Sequence, residues 1–107
     1  MDDINEIVFD GAKILEVTRD EGKNSFAIVI QQAIESAPIH IKFNDIKEEK
    51  AQLYIQKDIS ELNSYIPPVE VIEIFDNENN FYRFSGYVKN TPWAVWEFRA
   101  ENYKITC

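Results

Sequence analysis

The last third of the chain is written in period two. Residues 69–75 (VEVIEIF), 81–89 (FYRFSGYVK) and 93–99 (WAVWEFR) each alternate between two sets of side chains, separated only by short polar stretches. Side chains of a strand point alternately to opposite faces, so this pattern in β-branched and aromatic residues means strands. Short connections make them antiparallel neighbours, with residues 76–80 (DNENN) and 90–92 (NTP) as the loops. With Phe75 set opposite Phe81 and Lys89 opposite Trp93, one face collects Ile72, Ile74, Tyr82, Phe84, Val88, Ala94, Trp96 and Phe98. That is the expected core face. Gly86 falls opposite Trp96, leaving bare backbone under the indole. Trp96 and Phe98 are expected buried, and Trp93, of the other parity, more exposed.

The opposite face is mixed. It holds Val69, Val71, Glu73, Phe75, Phe81, Arg83, Ser85, Tyr87, Trp93, Val95, Glu97 and Arg99. In this register Glu73 faces Arg83, Arg83 faces Arg99, and Glu97 lies diagonal to Arg83, a charge lattice among aromatics. Contiguous exposed aromatics call for an occupant. Three are open: the N-terminal hairpin packed over the face as a second core, a second copy of the chain, or a different protein. For a protein partner the candidate binding residues are Arg83, Tyr87 and Trp93, with Glu97 and Arg99 beside them, since Tyr, Trp and Arg dominate binding hot spots.

The rest of the chain supplies further strands. Residues 1–10 are a lead-in anchored by Ile4, Ile7, Val8 and Phe9. Residues 12–19 (AKILEVTR) and 25–32 (SFAIVIQQ) read as a hairpin around the turn 20–24, with Gly22 in it. Setting Arg19 opposite Ser25 leaves apolar residues on both faces, so this hairpin is either covered on both sides or central in a sheet. Residues 39–43 (IHIKF) alternate, a third strand with one wet face, Pro38 standing just before it. Residues 44–56 fit neither period well, with 53–55 a candidate short strand. Asp58 with Glu61 three residues on looks like a helix start, followed by the stripe Ile59, Leu62, Ile66 and stopped by Pro67-Pro68. Residues 103–107 (YKITC) are a candidate last strand. The expected fold is mainly β (α+β): antiparallel sheets packed as a sandwich or half-barrel, with one short helix near residues 59–65. At 107 residues the chain, 1–107, is read as a single domain.

Charge and chemistry narrow the function. Eleven basic against nineteen acidic residues give a net charge of −8, which works against nucleic acid and anionic lipid. No apolar run approaches the roughly 18 residues of a membrane helix, and the acidic start has no signal-peptide core. With Cys107 the sole cysteine, no intrachain disulfide is expected and the expected compartment is the cytoplasm. Gly11, Gly22 and Gly86 are too dispersed for a phosphate loop. His40, the one histidine, alternates on a strand and reads as a wet-face residue. Residues 76–87 lack the glycine and glutamate of a calcium loop, with Phe81 and Tyr87 in those places. No catalytic residue, metal ligand or cofactor is therefore expected, and an enzyme is not the reading.

Phe9-Asp10-Gly11-Ala12, leading into 13–17, resembles the opening of a loose set of small bacterial proteins that begin with a Phe-His-Asp-Ala-type turn before a first hairpin. Residues 41–46 (IKFNDI) are similar to the apolar-acidic phrase that ends the third strand in those proteins, and their closing strands are rich in aromatics. Here Asp10 stands for the usual histidine and Gly11 for the usual aspartate. The set includes toxin-immunity proteins and proteins of unknown function. The resemblance implies a non-enzymatic binding protein, an immunity-type inhibitor covering the active site of a bacterial toxin. The alternative is a structural or ligand-holding β-domain that self-associates as a homodimer.

Overall fold

A computed structural model describes residues 3–53, 69–88 and 93–106. Eight strands are present: β1 (Lys13–Asp20), β2 (Ser25–Gln31), β3 (Ile39–Asn44), β4 (Lys47–Leu53), β5 (Val71–Glu78), β6 (Phe81–Tyr87), β7 (Trp93–Arg99) and β8 (Asn102–Thr106). Two single 3₁₀ turns, Ile4–Glu6 and Glu21–Lys23, are the only helical elements among the described residues. The helix expected near 59–65, the loop 90–92 and Cys107 lie outside them.

The strands make one open antiparallel sheet in the order β4-β7-β6-β5-β1-β2-β3-β8. This order forces the sheet to coil. β3 and β4 sit six places apart yet are joined by Asp45 and Ile46 alone, and β7 and β8 are joined by Ala100 and Glu101 alone. Six strand spacings in a flat sheet would span about 29 Å, whereas such a two-residue link reaches about 10 Å. Asn44↔Asn102 and Lys47↔Arg99 keep one register through the bend, so β3–β4 and β7–β8 form a single ladder turned at a corner. Glu101 N donates to Asn44 O at 3.1 Å across it. Asp45 takes a φ of 55°, and Ile46 turns into the core.

The bend brings β2 and β3 rings onto β6 and β7 rings. Phe26 lies 5.1 Å from Trp96, and Phe43 lies 5.1 Å from Tyr82. Trp96, Phe43, Phe84, Phe98, Ile28 and Ile41 are fully buried in this shared cluster. The β1–β2 hairpin therefore packs on the even-parity face of the C-terminal strands, not over the odd-parity one. It lies mid-sheet, and its own outer face is open, with Leu15 48% exposed.

Three registers differ from the sequence expectation, two of them for a visible local cause. In β1–β2, Asp20 rather than Arg19 pairs with Ser25, because the connection is a tight 3₁₀ turn closed by Asn24 at φ 50°. A bulge between Ile14 and Glu16 then restores the expected Ile14↔Ile30 pair. In β5–β6 the strands run on to Glu78↔Phe81, leaving only Asn79-Asn80 as the turn. Both asparagines have positive φ, 49° and 65°, the conformation of the two-residue type I′ hairpin turn. A bulge between Ile72 and Ile74 reverses parity, so Phe75 turns inward, 4.1 Å from Phe9, and Ile74 points out. In β6–β7 the shift is two residues, so parity holds, but Gly86 faces Ala94 and Arg83 faces Glu97.

Residues 44–56 conceal a strand. β4 (KEEKAQL) is an edge strand, and its charged outer side chains blunt that edge. Among the side chains described, its core side is carried by Ala51 and by the Glu49 contact set out below, too little apolar surface to show a period.

The Phe-Asp-Gly-Ala turn anchors the joint between the two halves of the sheet. Phe9 and Ala12 are buried, and Ala12 N donates to Phe9 O at 2.9 Å. Gly11, at φ 81°, holds the third position of that turn, where glycine is preferred. Gly11 N then donates to Ile72 O at 2.7 Å and Ile72 N to Ala12 O at 2.8 Å, splicing the turn into β5. Asp10 is exposed.

Candidate protein-binding face

The outer face of β5, β6 and β7 gathers the singled-out residues. Tyr87 and Trp93 are cross-strand partners in edge-to-face contact, 5.3 Å between ring centroids at 88°. Tyr87 is 43% exposed and Trp93 half-buried. Arg83 pairs across the ladders with Asp76 on β5 and Glu97 on β7. It makes no ion pair within 4.0 Å with any described residue. The expected Glu73–Arg83–Arg99 lattice is not formed: Glu73 sits in the β5 bulge, and Arg99 faces Phe81 and Lys47. Arg99 is instead a clip to the edge strand. Its Nε donates to Glu48 Oε2 at 2.8 Å, and its guanidinium lies 5.3 Å over the Phe81 ring.

Between these side chains lies an open cleft of about 380 Å³ lined by Ile74, Asp76, Arg83, Ser85, Trp93 and Val95. Ser85 and Val95 form its buried floor. The small Ser85 opens a notch between its cross-strand neighbours Ile74 and Val95. Ile74, 49% exposed, also borders a second concavity of about 420 Å³ that includes Asn5, Asp10 and Glu73. Arg83, Tyr87, Trp93 and Glu97 are thus brought together on this face, and Arg99 stands apart at its far end. The sequence reading missed Ile74 and Asp76, which reach the cleft because the two-residue turn pairs them with Ser85 and Arg83. The Asn79-Asn80 dipeptide was the available signal, since it fixes the β5–β6 register.

A second polar constellation holds the sheet together. Arg19 binds Glu49 through both guanidinium nitrogens at 2.7 Å, and Trp96 Nε1 donates to Glu49 Oε2 at 2.7 Å. Burial alone would raise the Glu49 carboxyl. The hydrogen bonds from Arg19 and Trp96, with the Arg19 charge, outweigh it and hold the group below the ordinary glutamate range. Arg19 also lies 5.3 Å over the Phe26 ring. Burial, with Tyr103 nearby, raises the Tyr82 phenol.

His40 is exposed on the wet face of β3. Among the described residues no cluster of three His, Cys, Asp or Glu side chains could hold a metal ion, and no helix is long and apolar enough to cross a membrane. No family model, curated protein or solved structure matches this chain.

Proposed function

We propose that the chain is a non-enzymatic protein-binding domain, an immunity-type inhibitor of a bacterial toxin, and that it docks through the outer face of β5–β7. The observation that carries this reading is the Tyr87–Trp93 pair beside a cleft whose arginine has no ion-pair partner among the described residues. An exposed Tyr and Arg with a half-buried Trp around a notch between Ile74 and Val95 is the composition of an interface hot spot. Asp76, Glu73 and Glu97 around it, within a chain of net charge −8, favour a basic partner and faster encounter with it. The resemblance of residues 9–17 and 41–46 to a set containing toxin-immunity proteins supports the same class. In this reading the coiled sheet acts as a rigid half-barrel scaffold, works in the cytoplasm and needs no cofactor.

The test is co-expression with the polypeptide encoded next to this chain in its genome. The expected outcomes are restored growth if that polypeptide is toxic, and a purified complex. Tyr87→Ala/Trp93→Ala should stay folded and lose binding by roughly 100-fold, the scale of truncating a hot-spot pair. A folded double variant that binds and protects like the parent removes this face from the proposal. Absence of both complex and protection removes the immunity function.

A further inference from the structure

The outer face on the other side of the core carries a charge pattern that partner binding at β5–β7 leaves unused. Two rows run straight across the ladders of β1, β2, β3 and β8. One is Glu16–Val29–His40–Thr106, and the next is Thr18–Ala27–Lys42–Lys104. Read strand by strand, the face is acidic on β1 from Glu16 to Asp20, with Lys13 at the far end beyond the bulge, small and apolar on β2, and basic on β3 and β8. Ala27 and Val29 are half-buried, and the charged members are exposed.

The charges are not spent within the molecule. Lys42 and Lys104 stand directly opposite each other, and neither makes an ion pair with a described residue. Facing like charges destabilise a sheet, and this chain has acids to spare. Edge protection accounts for Lys104 on β8, but Lys42 is on the interior strand β3. On the opposite flank Glu16 and Asp20 are likewise without an ion pair among the described residues.

We propose that this face is the interface of a homodimer, its occupant a second copy of the chain. Two copies stacked face to face are related by a two-fold axis lying between them. An axis along β2 lays β1 of one copy against β3 of the other. Glu16 and Asp20 then meet His40 and Lys42 twice over, with Lys104 one strand further out, while the β2 strips meet each other. An axis across the strands would lay β1 on β1, acid on acid, so the charge pattern selects the first. The patch measures roughly 20 by 20 Å from strand spacing and rise. That is the small end of specific interfaces, so the dimer is expected to be weak, roughly micromolar, and salt-sensitive. The β5–β7 face stays open in it, which makes the two proposals separable.

The experiment is sedimentation of the full chain from about 10 μM to about 1 mM at low salt. Two variants accompany it: Lys42→Glu/Lys104→Glu, which makes the face mainly acidic, and Glu16→Lys/Asp20→Lys, which makes it mainly basic. Each should keep its strand circular dichroism and lose self-association by at least about tenfold. Mixed together, they should associate again. If a reversal unfolds the chain, Lys42→Gln tests the same direction by weakening the dimer. A parent that stays monomeric across the range overturns the proposal. So do folded variants that self-associate like the parent, a mixture that does not recover, or a dimer abolished by Tyr87→Ala/Trp93→Ala instead.

Discussion

Trp96 donates its indole N–H to Glu49 Oε2 at 2.7 Å, so the largest fully buried side chain of the core is tied to a carboxylate on the edge strand β4. Arg19 grips the same carboxylate from β1. The neighbouring strands β4 and β7 and the remote strand β1 thus meet at one group, which secures the coil that the β3–β4 corner begins.

That lock predicts a pH signature. The Glu49 carboxyl sits below its unfolded value, so its contribution is fully present above about pH 4.3 and is lost as pH falls through the lower folded value. Glu49→Gln keeps an acceptor for the indole and removes the charge. In urea at pH 7 it should cost roughly 1 kcal/mol, modest because Arg19 is partly solvated. The difference from the parent should shrink below about pH 4. A gap that stays constant from pH 7 to pH 3 would show that the charge contributes nothing.

Gly86 is fixed by backbone, not by a ring. A Cβ there would run into Val71 O, with Val71 C at 2.9 Å and Glu73 N at 3.0 Å, all main-chain atoms of β5. The β5 bulge presses that strand against β6, and only a hydrogen fits between. Gly86→Ala should therefore destabilise by about 2 kcal/mol or more, as overpacking against unyielding atoms does. An equilibrium urea titration checks it, and a loss under about 0.5 kcal/mol would contradict the bulge.

The two tryptophans report on opposite faces of β7. Trp96 is fully buried, and Trp93 borders the open cleft. In single-tryptophan variants, Trp96→Phe should leave a fluorophore readily quenched by acrylamide, and Trp93→Phe a protected, blue-shifted one. Trp96→Ala should also cost about 3–5 kcal/mol as a large-to-small core change. Equal quenching of the two would invert the face assignment.

Alternation made β3, β6 and β7 legible, because each is half buried and its side chains record which half, whereas β2 was legible only as a strand rich in β-branched residues with both faces apolar. The buried set Tyr82, Phe84, Trp96, Phe98 follows from parity alone. β4 was hidden because an edge strand with its polar side outward and Glu49 as an inward anchor shows no apolar period. The cleft was only half legible. Arg83, Tyr87, Trp93 and Glu97 share parity with no irregularity between them, whereas Ile74 and Asp76 stand beyond a bulge. A bulge adds one residue without any mark in the hydrophobic pattern. The coiling of the single open sheet was not legible, since it depends on β3 and β7 each turning a two-residue corner.

The register that builds the cleft is set by Asn79-Asn80, and this is open to direct test. Both residues hold positive φ between the paired Glu78 and Phe81. Asparagine tolerates that region better than other side chains, and glycine better still. Asn80→Gly should hold or raise stability, by up to about 1 kcal/mol, because it relieves the left-handed cost in a type I′ turn. Asn80→Val should lose about 1–2 kcal/mol for the converse reason. Had residues 76–80 been an open loop with Phe75 opposite Phe81, the valine would be nearly neutral and the glycine slightly destabilising through added chain entropy. Urea midpoints for the two variants therefore decide between the registers, and with them whether Asp76 or Glu73 stands across from Arg83.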